Sequence, residues 1–120
     1  MADIFTDVGE TLVADYVDGT ASAPSNWYVA WGTGAGTAAK GDTTLFTEAA
    51  ESRVTATESQ PATNQNRFVG TITAAGTKTI TNAGVFDAST SGNMLLKSDF
   101  TGIALVLNDS IQFTFDLTWS

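Results

Sequence analysis

Ile111-Gln112-Phe113-Thr114-Phe115-Asp116-Leu117-Thr118-Trp119 alternates apolar and polar side chains without a break. Five apolar residues fall on one face, and Gln112, Thr114, Asp116 and Thr118 fall on the other. Period-two patterning of this length predicts a strand with one buried face. Three bulky aromatics on that face need a thick apolar layer opposite, which predicts a second sheet. The strand runs almost to the last residue, so the C-terminal segment is expected to be pinned in a sheet.

The segments upstream fit the same plan. Arg67 to Ala74 alternates, with Phe68 and Ile72 on one face and Thr71 and Thr73 on the other. Thr77 to Thr81 and Gly84 to Asp87 read as one strand with a bulge at Asn82-Ala83-Gly84. Met94 to Phe100 reads as a strand, Ile103 to Leu107 as an apolar run, and Asn108-Asp109-Ser110 as the turn into the last strand. Asn26 to Trp31 carries Trp27, Val29 and Trp31 on one face, leaving Tyr28 and Ala30 for solvent. Arg53 to Thr57 is a short strand pairing Val54 with Ala56. Six or seven short strands with turns every 8–12 residues or so predict an antiparallel β-sandwich, jelly-roll-like, spanning residues 1–120 as one domain. Its expected core is Phe68, Ile72, Phe113, Phe115 and Leu117.

One helix is predicted, over Asp7 to Val17, in an N-terminal arm and helix covering about residues 1–19. Val8, Leu12 and Tyr16 recur every four residues, and Val13 and Val17 widen the stripe. Asp7 with Glu10 three residues later reads as a capping box. Gly9 weakens the helix by roughly 1 kcal/mol relative to Ala, and Gly19 is the expected stop. The helix therefore needs a sheet or a partner to persist. Gly32 to Asp42 reads as a flexible loop, Thr43 to Glu51 as holding one helical turn, and Glu58 to Asn66 as a long exposed connection.

The chain has 120 residues, no His and no Cys. A Ser-His-Asp triad is impossible, and thiolate metal sites and disulfides are excluded. Gly32-Thr33-Gly34-Ala35-Gly36 has neither the Rossmann spacing nor the Gly-Lys-Ser/Thr ending of a P-loop. The acids are isolated or lie on the helix face toward water, which does not make a catalytic pair. No catalytic, cofactor-binding or metal-binding residues are predicted, and no enzyme activity. Thirteen acids against five bases give a formal net charge of −8, with five acids ahead of the first base, Lys40. That balance argues against nucleic acid as a partner, which requires a positive footprint. No signal peptide or membrane-spanning run is apparent, so no membrane partner is expected. Trp27 and Trp31, about 13 Å apart by strand rise, could with Tyr28 form a sugar-binding platform, although burial in the core is the commoner fate of such residues.

Two blocks carry a resemblance. The first is Trp27-Tyr28-Val29-Ala30-Trp31-Gly32-Thr33-Gly34 with Asp42-Thr43-Thr44-Leu45 and Glu51-Ser52-Arg53-Val54. The second is Thr79 to Asp87, followed by Gly92-Asn93-Met94-Leu95-Leu96 and Asn108-Asp109-Ser110-Ile111-Gln112-Phe113. Behind a short helix, this order resembles small structural proteins of tailed bacteriophages, either capsid decoration (cement) proteins or tail-fibre-associated proteins. The resemblance implies a virion protein that works through multivalent surface contact. The expectation drawn from it is a cement protein on the outer capsid surface, assembled in the host cytoplasm, a homo-oligomer whose partner is the major capsid protein lattice. The alternatives are a tail or tail-fibre component and a carbohydrate-binding module. The acidic segment Asp3 to Asp18 and the stretches 32–42 and 58–66 are expected to be arms that order against neighbouring subunits.

Overall fold

The computed structural model describes residues 3–119. In chain order the elements are β1 (Ile4–Phe5), α1 (Asp7–Asp18), β2 (Tyr28–Gly32), β3 (Val54–Thr55) and β4 (Thr57–Ala62), then β5 (Gln65–Thr73), β6 (Lys78–Phe86), β7 (Met94–Leu105) and β8 (Ser110–Thr118). They form two antiparallel sheets, one of order β1-β7-β6-β2-β3 and one of order β4-β5-β8. This is the antiparallel sandwich with one N-terminal helix that the alternation predicts. After β3 the chain changes sheet at Ala56, between β5 and β6, and between β7 and β8.

The alternating strand β8 pairs with β5 along nine residues, from Gln65↔Thr118 to Thr73↔Ser110, without a register shift. Phe68 stands opposite Phe115 and Ile72 opposite Ile111, so both apolar faces point the same way. Phe68, Ile72, Phe113, Phe115 and Leu117 are all buried, as expected. They meet Trp27, Val29, Trp31, Val85 and Leu96 from the other sheet. Phe113 packs edge-on against Trp31 at 6.3 Å and lies 6.2 Å from Phe115, the close ring geometry that aromatic pairs favour. The sheets approach closely at Gly70, where a Cβ would lie 2.8 Å from Val29 Cγ2. Trp119 departs from the pattern. It is 36% exposed, because the sandwich ends there and its ring packs on Phe5 instead.

The structure corrects several local expectations. Thr6, not Asp7, caps the helix: its Oγ1 accepts from the Gly9 amide at 2.9 Å and donates to the Met94 carbonyl at 2.6 Å. A hydroxyl that serves both helix and sheet satisfies two backbone groups at once. Gly9 is where α1 touches the sheet, since a Cβ there would lie 2.5 Å from the Leu95 carbonyl oxygen. Leu12, Val13 and Tyr16 pack on the core, whereas Val17 is 84% exposed because the stripe has rotated off the sheet. Gly19, at φ 81°, ends the helix as expected.

Residues 94–105 form one strand rather than two pieces, and the irregularity lies in β7, not in β6. From Ile80↔Ile103 to Asn82↔Asp99, two steps along β6 match four along β7. Meanwhile β6 stays in register with β2 from Asn82 to Phe86. Residues 43–51 contain no helical turn. They run as an irregular, bent segment beside β2, with Gly32 bridged to Glu48 and Thr47 at φ 51°. Residues 58–66 are not a loop but most of the β4–β5 hairpin, with Pro61 in the exposed outer strand, where a missing N–H is tolerated.

Candidate functional site

The two tryptophans singled out in sequence as a sugar platform lie in the interior. Trp27 is buried between Tyr16 and Phe68, with ring centroids 6.4 and 5.7 Å away. Trp31 is buried too, and its Nε1 donates to Glu51 Oε1 at 3.0 Å. Tyr28 is half-buried on the outer face of β2. Ala30, expected at the surface, is covered by Leu45, Phe86 and Met94 in a second small core. Strand β2 is apolar on both faces because residues 43–51 fold over its outer side. The β2 face therefore offers no aromatic platform.

The same folding-over explains the glycines. The Thr33 amide donates to the Thr47 carbonyl at 2.9 Å and the Gly34 amide to the Phe46 carbonyl at 2.8 Å. A Cβ at Gly34 would lie 2.8 Å from the Phe46 carbonyl carbon, and one at Gly36 would meet the Phe46 ring. The stretch expected to be flexible is a fitted packing surface, and its glycines serve close approach rather than phosphate.

All five bases are ion-paired. Lys40 meets Glu10, Arg53 meets Glu48, Arg67 meets Asp116, Lys78 meets Glu51 and Lys97 meets Asp42. Two of these pairs, Lys78–Glu51 and Lys97–Asp42, fasten residues 40–53 to the sheet, and Lys40–Glu10 ties them to α1. Lys97, fully buried, donates to Asp42 Oδ2 at 2.9 Å and to the Thr44 carbonyl at 2.8 Å, and lies over the Phe46 ring at 3.3 Å. Its hydrogen bond holds the Asp42 carboxyl below the usual range. Arg53 reaches the Ala88 and Ser91 carbonyls and stacks on Phe86 at 3.7 Å. Glu51 is nearly buried, which by itself would raise its pKa. Hydrogen bonds from Lys78, the Ala75 amide and Trp31 outweigh burial and lower it to about 2. Sequence reading saw only scattered bases. The sole signal of these clusters was that Glu48, Glu51 and Arg53 sit close to apolar neighbours.

Among the described residues every buried side-chain nitrogen or oxygen has a hydrogen-bond partner. No three acids converge there in a way that would hold a metal ion, and no helix is long and apolar enough to cross a membrane. The segments expected to be free arms are docked on their own molecule. Asp3 accepts from Ser98 Oγ at 2.6 Å and from the Asp116 amide at 2.9 Å, β1 pairs with β7, and the Asp7 amide donates to the Lys40 carbonyl. Met1 and Ala2, the start of the expected arm, lie outside the described residues.

Two surface concavities bear on function. One, between residues 48–53 and 89–91, is polar and has Arg53 and Glu48 already paired with each other. The other is an apolar groove of about 190 Å³ between α1 and the three-stranded sheet. Val13, Tyr16, Phe68, Leu117 and Trp119 floor it, and Glu58, Ser59, Asn66 and Arg67 form its polar margin. Trp119 Nε1 donates to Asn66 Oδ1 at 3.2 Å, which fixes the ring at the groove mouth. This volume is below that of ordinary small-molecule pockets, roughly 300–1,000 Å³.

Polar groups are spent on internal stapling, and a few large apolar groups stay at the surface. Comparison with known families supplies the class: the chain is a bacteriophage structural protein. The family model described as Podophage GP4 fiber I protein gp80 matches residues 5–117, and the chain belongs to that family. No curated protein matches the chain.

Proposed function

We propose that this protein is a structural component of the phage tail-fibre apparatus and acts through protein–protein contact, without catalysis, cofactor or nucleic acid. The match to a fibre-protein family over nearly the whole chain carries this reading. It favours the fibre alternative over the cement role on the capsid lattice that the sequence resemblance first suggested. Two features support it. Every base is neutralised by an acid, so no cationic footprint is available for nucleic acid. The interior polar groups satisfy one another and await no substrate.

The test is positional. Phage lacking this protein and complemented phage are compared by electron microscopy, and complemented particles are labelled with antibody against the chain. Label and missing density on the tail or its fibres are expected. Label spread over the head faces would replace this reading with the cement role.

A further inference from the structure

Of the large apolar side chains exposed among the described residues, Val17 on α1 stands alone, and the others fall in two places. Ile103, Val106 and Leu107, 37%, 57% and 60% exposed, fall in one short run at the C-terminal end of β7. Trp119 stands at the C-terminal end of β8, in the wall of the apolar groove. These two places are far apart. A strand of twelve residues such as β7 spans about 36 Å at ordinary rise. Only the long axis of this 44 × 25 × 25 Å molecule accommodates it. Leu95, at the start of β7, lines the groove, and Val106 follows the end of the same strand. A protruding apolar turn and a receiving apolar groove therefore lie at opposite ends of the molecule.

The turn is held in shape before it meets anything. The Asp109 carboxylate accepts from the Val106 amide at 2.9 Å, and the Asp109 amide donates to the Val106 carbonyl at 3.0 Å. The Asn108 amide donates to the Ala74 carbonyl at 2.9 Å, and the Ala74 amide to the Asp109 carbonyl at 2.7 Å. A knob fixed in this way loses little freedom on docking. The groove has room for one or two aliphatic side chains and is too small for a larger ligand. The contact is apolar, since Arg67 at the groove margin is already paired with Asp116.

We propose that the Val106–Leu107 turn of one copy docks into the Trp119 groove of a second copy, head to tail. The proposal goes beyond the fibre reading and does not rest on it. Because knob and groove are different surfaces, each contact leaves one knob and one groove open. Such heterologous contacts propagate into rows, unless the rotation closes a ring. The net charge of −8 opposes association, so salt should promote it.

The experiment is sedimentation equilibrium of the purified chain across concentration, at low and high salt. Four proteins are compared: wild type, Leu107→Asp, Ser59→Trp and Trp119→Ala. Ser59→Trp fills the groove from the exposed strand β4, and Trp119→Ala removes its wall. Circular dichroism confirms the fold of each, and Ser59→Trp serves if Trp119→Ala unfolds. Wild type should associate more strongly at high salt, into species larger than dimers. Leu107→Asp and Ser59→Trp should each weaken self-association at least tenfold, by losing the buried leucine contact or its site. Mixed, these two should form a dimer that stops there, because one supplies the groove and the other the knob. A wild type that stays monomeric at high concentration and high salt would overturn the proposal. So would a Leu107→Asp protein that associates like wild type, or a mixture that forms no dimer.

Discussion

Phe115 and Glu51 show what individual residues contribute. Phe115 is fully buried, and its place was legible because a phenylalanine between two threonine-sized polar residues in a strand has one direction to point. Phe115→Ala should cost roughly 3–5 kcal/mol in urea unfolding, by lost transfer energy and a residual cavity. A loss below about 1 kcal/mol would place it outside the core. Glu51 was not legible, since its partners Lys78, Ala75 and Trp31 are brought together only by the fold. Its folded pKa of about 2 lies below the ordinary 4.5, so the fold favours the charged form. The associated stability is present above pH 4.5 and is lost as pH falls toward 2, by at most about 3 kcal/mol. Glu51→Gln should flatten much of that acid slope while lowering stability at pH 7, because Lys78 loses its partner. An unchanged slope between pH 5 and 2 would mean the carboxylate is not held this way. Asp42, also lowered by its lysine, should account for part of the dependence that remains.

At the scale of elements, periodicity gave reliable information wherever one face met the core and the other met water. Strands β5 and β8 satisfy that condition, and their faces were assigned correctly. Strand β2 does not, because residues 43–51 cover its outer side, so Ala30 was assigned to the wrong environment. The hairpin of β4 escaped notice for the opposite reason: all its residues are exposed, and a wholly polar strand carries no alternation. The helix illustrates a conflict between local preference and packing. Gly9→Ala would favour an isolated helix by roughly 1 kcal/mol. In the folded chain the added methyl would meet the Leu95 carbonyl at 2.5 Å, and backbone gives way reluctantly. Gly9→Ala should therefore lower stability by roughly 1–3 kcal/mol, the usual cost of overpacking. A raised melting temperature would show that α1 can shift on the sheet without cost.

Across the whole molecule, the absence of His and Cys and the acidic balance directed attention to contact rather than chemistry, and the family match places the chain among phage structural proteins. The groove and the apolar turn were beyond sequence reading, because each is assembled from elements distant along the chain. The Asp3 carboxylate has a consequence for how the protein comes into being. It bridges Ser98 and the Asp116 amide, the second of these 113 positions later in the chain. At ordinary synthesis rates of about 5–20 residues per second, that amide emerges roughly 6–20 s after Asp3 does. Through that interval Asp3 lacks its partner on β8, and β5 lacks the neighbour that completes its sheet. Residues 3–5 thus act as a latch whose second half closes only over β8, so a product truncated before β8 keeps the Ser98 contact and lacks the Asp116 one.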